Sequence, residues 1–430
     1  LYILYFNMKL FTKLSQLNDK IALVQNKKKF RYSDFAVFSE RISKIIKKDS
    51  IVILLAKNEI ESLAFYVASI NNGYCLIILD ENSEKDFIVK TIKNFKSNYI
   101  FYPKNLNYFK KNSNKKFIFS SYCLEQIDTK LKKYNNSNSI ILTTSGTTSS
   151  PKFVRLSNKN LYINSKQIIN YLKIKKSHKT ITTLPMAYSY GLSIINSHLE
   201  CGSTVVVNNE PAFSKLFWEK LKNFNITSFG TVPAVYDYLK RIKFENFISS
   251  SSLKYLTVAG GKVGNNTLNY LLNVCRTKKI KFFVMYGQTE ASPRMSYYEL
   301  TKYPKKIGSI GKPIKGTKFQ ILKKELIFHG KNVSLGYATN FKDLKKNDIN
   351  KGKIHTGDLG FLDEDGFYYL TGRKKKISKI FGLRIDLEDI EKTLNQKNYN
   401  VKALVDDKKI KIQSYKACHP DKIKEIIFKK

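Results

Sequence analysis

The run Ile51-Val-Ile-Leu-Leu-Ala56 limits this chain more than any other feature. Every residue in it is apolar, so a strand formed here cannot turn one face to water and must be covered on both sides. Ile60, Leu63, Val67 and Ile70 follow at helical spacing, and a second apolar run reaches from Cys75 to Leu79. Strand, helix and strand, with both strands doubly covered, predict a parallel sheet enclosed by helices. The alternation recurs at Ile140 to Thr143, the helix-like Asn158 to Leu172, Thr180 to Leu184, Ser203 to Val207, Ser228 to Thr231, Tyr255 to Val258 and Lys281 to Met285. The fold class is therefore α/β, with a large N-terminal domain of helix-covered sheets.

After about residue 305 the texture changes to short strands punctuated by glycine: Phe319 to Leu322, Glu325 to Phe328, Gly360 to Leu362 and Phe367 to Leu370. Asp365-Gly366 reads as a hairpin turn, and the whole stretch as a β-rich subdomain. A further unit begins near Lys374, with Asp386 as the N-cap of a helix that turns Leu387, Ile390 and Leu394 inward. Strands at Val401 to Val405 and Ile410 to Tyr415 and a last helix opened by Pro420 complete it. At 430 residues the chain exceeds a single core. The expected division is a large domain over residues 1–371 and a small α+β domain over 372–430.

A formal charge of +42, from 76 Lys plus Arg against 34 Asp plus Glu, raises nucleic acid or an anionic membrane as a partner. The lysines are scattered through nearly every segment, as at Lys27 to Lys29 and Lys111 to Lys116, and form no long basic arm. That is the pattern of solvated faces, so no nucleic-acid partner is expected. Cys75, Cys123, Cys201, Cys275 and Cys418 are far apart and mostly sit in apolar runs, which fits reduced thiols in a cytoplasmic protein. No run approaches 18 apolar residues, so no membrane span is expected, and Leu1 to Asn7 lacks the basic leader of a signal peptide.

The strongest local feature is Thr143-Thr-Ser-Gly-Thr-Thr-Ser-Ser-Pro-Lys152, placed after an apolar strand and, by this reading, before a helix. Hydroxyls, backbone amides around Gly146 and the Lys152 ammonium together suit a polyphosphate. The Walker spacing is missing, and alone the segment reads equally well as a Ser/Thr-rich loop. Its company decides the matter. Tyr286-Gly-Gln-Thr-Glu-Ala-Ser292, His355-Thr-Gly-Asp358, Gly372-Arg373 and Lys379-Ile-Phe-Gly-Leu-Arg-Ile385 follow in order.

Together these segments resemble the serial motifs of the adenylate-forming superfamily, which includes acyl-CoA synthetases, aryl acid ligases and the adenylation domains of peptide synthetases. The resemblance implies activation of a carboxylic acid by ATP and Mg2+ to an acyl-adenylate, then transfer to a thiol of CoA or an acyl carrier protein. It implies that Thr144, Ser145, Gly146, Thr147, Thr148 and Lys152 grip the β- and γ-phosphates, that Glu290 holds Mg2+, and that Thr289 bonds the α-phosphate. Tyr286 would stack on adenine, with Gly260, Gly261 and Gly287 allowing close approach. Asp358 would take the ribose hydroxyls and Arg373 a ribose or phosphate contact. Lys375 stands at the family's hinge, and Gly382 in the loop that enters the site for thiolation. The catalytic set implied is Lys152, Thr289 and Glu290. No side-chain nucleophile is needed, because positioning and charge neutralisation carry the chemistry at phosphorus.

Two departures stand out. Ser149 and Phe153 occupy positions where relatives carry glycine, which puts the mobility of the phosphate loop in doubt. The chain also stops at Lys430, before the family's terminal glycine-lysine, so the small domain is expected to be truncated and adenylation weakened. For the acyl pocket, Leu184-Pro-Met-Ala-Tyr-Ser-Tyr-Gly-Leu192 matches the family's opening segment, with Tyr188, Gly191 and Tyr236 as candidate walls. Amino-acid-activating relatives carry aspartate at the position of Gly191, so the expected substrate is a small carboxylic acid without an α-amino group. Two alternatives remain: a non-catalytic or half-reaction-only binder of acyl-adenylate or nucleotide, and a basic nucleic-acid binder.

Overall fold

The computed structural model describes residues 9–414 except 13, 107–115, 145–151, 249–251, 375–376, 381–382, 387–389, 392–393, 395–398, 400 and 407–408. Among these residues the strands form a thirteen-stranded sheet, an eight-stranded sheet and two separate hairpins. The mixed α/β class expected from the apolar runs is the class found.

Ile51–Ala56 lies inside the eight-stranded sheet, parallel to both Cys75–Asp80 and Tyr99–Pro103. Successive side chains of a strand point to opposite faces, and here the two faces enter different cores. Val52, Leu54 and Ala56 pack with the helices Tyr32–Ser43 and Ile60–Asn72, in the core that also takes Leu23 and Val205 from the larger sheet. Ile51, Ile53 and Leu55 pack with Ile88 and Phe95 on the outer side. Each fully buried Val, Leu or Ile contributes about 1.5–3 kcal/mol, so this one strand ties both layers together. Local signals set the helix ends. Ile60–Asn72 stops at Gly73, whose φ of +74° favours glycine. Asn158–Leu172 starts from Ser157, whose hydroxyl accepts the Asn160 N–H at 3.1 Å while the Asn160 side chain accepts the Ser157 N–H at 2.9 Å.

The larger sheet holds Ile21–Gln25, Thr204–Val206, Lys179–Ile181, Ser228–Thr231, Tyr255–Val258 and Lys281–Gly287 as parallel neighbours. Helices Lys215–Asn223, Pro233–Arg241 and Asn265–Thr277 cover one face. Arg294–Glu299 then turns antiparallel, and through Ser309–Pro313 the ladder continues into Tyr368–Arg373, Lys353–Leu362, Glu325–His329 and Lys318–Leu322. The β-rich stretch after residue 305 is thus hydrogen-bonded to the main sheet rather than set apart from it. Asp365-Gly366 does close a hairpin, with Gly366 at φ +80° and the Asp363 N–H donating to the Phe367 carbonyl at 2.9 Å.

One expectation is corrected at the Ser/Thr-rich loop. It leads not into a helix but into Phe153–Leu156, which pairs antiparallel with Ile140–Thr143. The two strands form a hairpin whose base is closed by the Thr144 N–H donating to the Lys152 carbonyl at 2.9 Å. The missed strand, Phe-Val-Arg-Leu, carries a charge in its middle that argues for a surface. Yet Arg155 is fully buried.

Near the C-terminal end, Ile377–Ile380 pairs with Leu383–Asp386, and Val401–Asp406 with Lys409–Ser414. Asp386 ends a strand, and most of the helix expected after it lies outside the described residues, as do Pro420 and the helix expected there. Cys75, Cys123 and Cys275 are buried free thiols and Cys201 is half-buried, while Cys418 lies outside the described residues. Among the described residues no helix is long and apolar enough to cross a membrane.

Candidate active site

In a parallel sheet the loops after the strands gather at the carboxyl edge, which is where such sheets offer a crevice. Here Ala259-Gly260 follows Tyr255–Val258, and Gln288 to Pro293 follows Lys281–Gly287. These two segments meet Thr144 from the hairpin base, Tyr188 to Tyr190 from the start of the helix Ser189–Cys201, and Arg373 around one cleft of ≈ 40 Å³. Of the residues singled out in the sequence, the cleft brings together Thr144, Tyr188, Gly260, Gly287, Thr289, Glu290 and Arg373.

The loop 288–293 is held by the pairing of Gly287 with Arg294. A side chain on Gly287 would put its Cβ 1.9 Å from the Pro293 carbonyl oxygen, so the hairpin closes only on glycine. A 3-10 turn, Thr289–Ala291, then presents two functional groups. The Thr289 hydroxyl lies 2.9 Å from that of Ser189. Glu290 is buried, and its Oε1 accepts the Tyr337 hydroxyl at 2.7 Å. Tyr337 in turn stacks its ring 5.3 Å from the Lys152 ammonium. Three segments far apart in sequence are joined in this way: the end of the Ser/Thr-rich segment at Lys152, the Glu290 turn and the short strand Gly336–Ala338.

Asp358 lies on Lys353–Leu362 directly opposite Arg373 in the ladder. Cross-strand partners face the same side, and Arg373 Nε meets Asp358 Oδ1 at 2.6 Å. The other oxygen, Oδ2, accepts the Tyr286 hydroxyl at 2.5 Å and the Gln288 amide at 3.0 Å. Burial, and after it the Asp358 carboxylate, push the Tyr286 phenol well above its ordinary range. The phenol therefore stays protonated and donates. Both carboxylate oxygens are engaged within the protein, so a ribose hydroxyl at Asp358 would share or replace one of these bonds.

Other candidates fall outside the cleft. Gly191 is buried at the start of its helix, where a Cβ would lie 2.4 Å from the Pro185 carbonyl oxygen, so packing against backbone accounts for the missing side chain. Tyr236 is fully buried in the core beside Phe282, its hydroxyl donating to the Thr257 carbonyl at 3.1 Å. Gly261 faces the Pro233 ring and not the cleft. The Gly260 backbone, at φ +91°, leaves room for the Tyr188 hydroxyl, which a Cβ would meet at 2.6 Å. Ser145, Gly146, Thr147, Thr148, Ser149, Lys375 and Gly382 lie outside the described residues. Phe153 packs in the core at 4.8 Å from the Phe95 ring, so the chain just after Lys152 is anchored.

Sequence reasoning passed over Ser189, Gln288, Arg294 and Tyr337. Gln288 sits within a quoted motif and Arg294 two residues beyond it, and a systematic reading of the motif's flanks would have reached both. Tyr337 carries no local signal, because its role is created by the fold that lays residues 336–338 beside Phe153–Leu156.

The model of the AMP-binding enzyme family matches residues 10–338. Among curated proteins, oxalate–CoA ligase from Arabidopsis thaliana is 30% identical over 281 residues, covering 62% of this chain and 54% of that protein. The 2-succinylbenzoate–CoA ligase of Bacillus cereus (strain Q1) is 30% identical over 266 residues, covering 59% of this chain and 53% of that protein. The aligned part thus spans about half the length of these relatives. Among solved structures, a double mutant of o-succinylbenzoate CoA synthetase from Bacillus subtilis superposes with a TM-score of 0.76 at 20% identity, covering 97% of this chain and 90% of that one. IdnL1 superposes with a TM-score of 0.82 at 14% identity, covering 100% and 96%. These superpositions establish the shared fold.

Proposed function

We propose, from the premise that this chain belongs to the AMP-binding enzyme family, that it activates a carboxylic acid with ATP and passes the acyl group to a thiol. The acid's carboxylate oxygen attacks the α-phosphorus, the bond to the β-phosphate oxygen breaks, and acyl-AMP and pyrophosphate form. A thiolate of CoA or of a carrier protein's pantetheine then displaces AMP from the acyl carbon. The observation that carries this reading is the meeting of Thr144, Gly260, Gly287, Thr289, Glu290 and Arg373 at the carboxyl edge of one sheet.

The parts suit the chemistry. Lys152 beside Tyr337 offers a cation for the departing phosphates, and the paired hydroxyls of Thr289 and Ser189 offer donors to the α-phosphate. Among the described residues no group of three or more His, Cys, Asp or Glu is placed to hold a metal unaided. Mg2+ ordinarily sits on one or two carboxylates plus substrate phosphates, and Glu290 with its neighbouring hydroxyls fits that donor set. When bound there, the ion would neutralise phosphate charge. The segment from about residue 372, with Lys375 as hinge and Gly382 in the incoming loop, would serve the second step.

The test is carboxylate-dependent release of pyrophosphate from ATP and Mg2+ across a panel of acids. Release that falls at least about hundredfold in Glu290→Ala and Lys152→Ala supports the reading. Release independent of added acid, or unchanged in both variants, refutes it.

A further inference from the structure

Arg294 is 2% exposed, and it lines the adenylate cleft as well as a second small cavity behind it. Its backbone is pinned on both sides: the N–H donates to Asn164 Oδ1 at 3.3 Å, and the carbonyl accepts from Asn164 Nδ2 at 3.0 Å and Asn332 Nδ2 at 2.9 Å. The guanidinium lies over the Tyr190 ring, 4.2 Å from its centroid, with Nη2 3.3 Å from the Ser193 hydroxyl. The buried Nε has no hydrogen-bond partner. Among the described residues no carboxylate comes within ion-pair distance of Arg294. The acids nearest the cleft are committed elsewhere, Glu290 to Tyr337 and Asp358 to Arg373.

A guanidinium cannot shed its proton to escape burial, and a buried charge without a counter-charge is strongly unfavourable. The cavity behind it offers no anion. His198, which also lines it, is held near pKa 4 by burial, so its ring is neutral at physiological pH, and it bonds to Tyr255. A fixed, unpaired cation at the wall of a substrate cleft is a receptor for an anion that arrives with the substrate.

We propose that Arg294 reads a second carboxylate on the acid, so that the substrate is a short dicarboxylic acid activated at one end and held at the other. This inference rests on the acid-activating reading above. The packing behind the cleft sets the size. Behind it Gly230 packs so closely that a Cβ would lie 2.1 Å from the Thr257 hydroxyl and 2.5 Å from that of Tyr190, which leaves no room for a long acyl chain. The choice of residue points the same way. Of the chain's 76 basic residues only eight are arginine, and a planar fork that grips a carboxylate through two N–H groups is what lysine cannot supply.

The experiment compares malonate, succinate and glutarate, each beside its monoamide, which keeps the shape and removes one charge. Two readouts are taken on the full chain: ATP-dependent pyrophosphate release, and calorimetric binding of each acid in the presence of AMP and Mg2+. The expected result is a diacid preferred over its monoamide by about hundredfold or more in kcat/KM. Arg294→Met should abolish that preference, and Arg294→Lys should restore part of it. Equal use of diacid and monoamide by the wild type, or equal loss of both in Arg294→Met, overturns the inference and leaves acid activation standing. Diacid binding that depends on Arg294 without pyrophosphate release overturns the activation reading and keeps the subsite. Neither binding nor release overturns both.

Discussion

Two arginines in this molecule are equally hidden from water and differently housed. Arg155, in the middle of Phe153–Leu156, sends its two terminal nitrogens to the carbonyls of Lys346 at 2.7 Å, Leu335 at 2.8 Å and Asn347 at 3.2 Å, and only its Nε, like that of Arg294, has no hydrogen-bond partner. Asp343 and Asp348 add a favourable field, although burial still lowers its pKa. Arg294 has a ring face, the hydroxyls of Ser193 and Tyr171 and, among the described residues, no carboxylate. A buried charge surrounded by fixed acceptors is a fastening, whereas one left short of acceptors beside a cleft waits for something that comes and goes. The contrast separates the region that holds the structure together from the region proposed to select the substrate.

The largest expected effect comes from exchanging each arginine for methionine. Arg155→Met strands several buried carbonyls at once and should destabilise the protein by about 3 kcal/mol. Arg294→Met removes a charge that no carboxylate among the described residues compensates, so it should be neutral or stabilising by about 1 kcal/mol. Urea unfolding midpoints of the two variants decide it. If the two shift together, the division between fastening and receptor is lost.

The same contrast shows what was legible in the sequence. The doubly apolar runs announced the parallel sheets, and the helix-like stretch Asn158 to Leu172 is a helix over those residues. The strand Phe153–Leu156 was missed because Arg155 breaks its apolar pattern, and only the carbonyls brought by residues 335–347 make that position habitable. At the site, contiguous motifs yielded Thr144, Thr289, Glu290 and Arg373 as neighbours of one cleft. Gly191 and Tyr236 were expected in the pocket wall and lie in packed surroundings, because which strand ends open into a cleft is a tertiary property. Arg294 did have a signal, as an arginine in a chain that places lysine almost everywhere a cation will serve.

A third buried base sharpens the comparison by escaping it. His198 is buried close to the cavity that Arg294 lines, and burial, followed by weaker opposing and reinforcing contacts, lowers its pKa to about 4 from 6.5. Imidazole solves burial by staying neutral, a route closed to guanidinium. Between pH 6.5 and 4 the unfolded chain takes up a proton that the folded chain refuses, so stability falls as pH falls through that window. The contribution is about 3 kcal/mol. Unfolding midpoints at neutral pH and at the acid end of the window should fall less far apart in His198→Gln than in the wild type, by about that amount. An equal fall would mean that the acid sensitivity lies elsewhere.

The smallest effect tests whether fastening and site are as separate as the two arginines suggest. Arg155 holds the Leu335 carbonyl, and two residues on, Tyr337 reaches Glu290 at 2.7 Å and lies under the Lys152 ammonium. The phenol hydroxyl thus connects the fastened segment to the side chain of the residue assigned to Mg2+, beside the Ser334 N–H that donates to the Glu290 carbonyl at 2.8 Å. Removing a hydrogen bond that orients a metal ligand typically weakens metal affinity about tenfold, and losing one partly buried hydroxyl bond costs stability only about 1 kcal/mol. Tyr337→Phe should therefore raise the Mg2+ concentration needed for half-maximal pyrophosphate release about tenfold, with little change in the unfolding midpoint. Loss of stability with an unchanged Mg2+ requirement would place Tyr337 with Arg155 among the fastenings. The predicted pattern would instead make it the point where the scaffold positions the chemistry, and Phe retains the ring that stacks on Lys152, so the hydroxyl alone is being read.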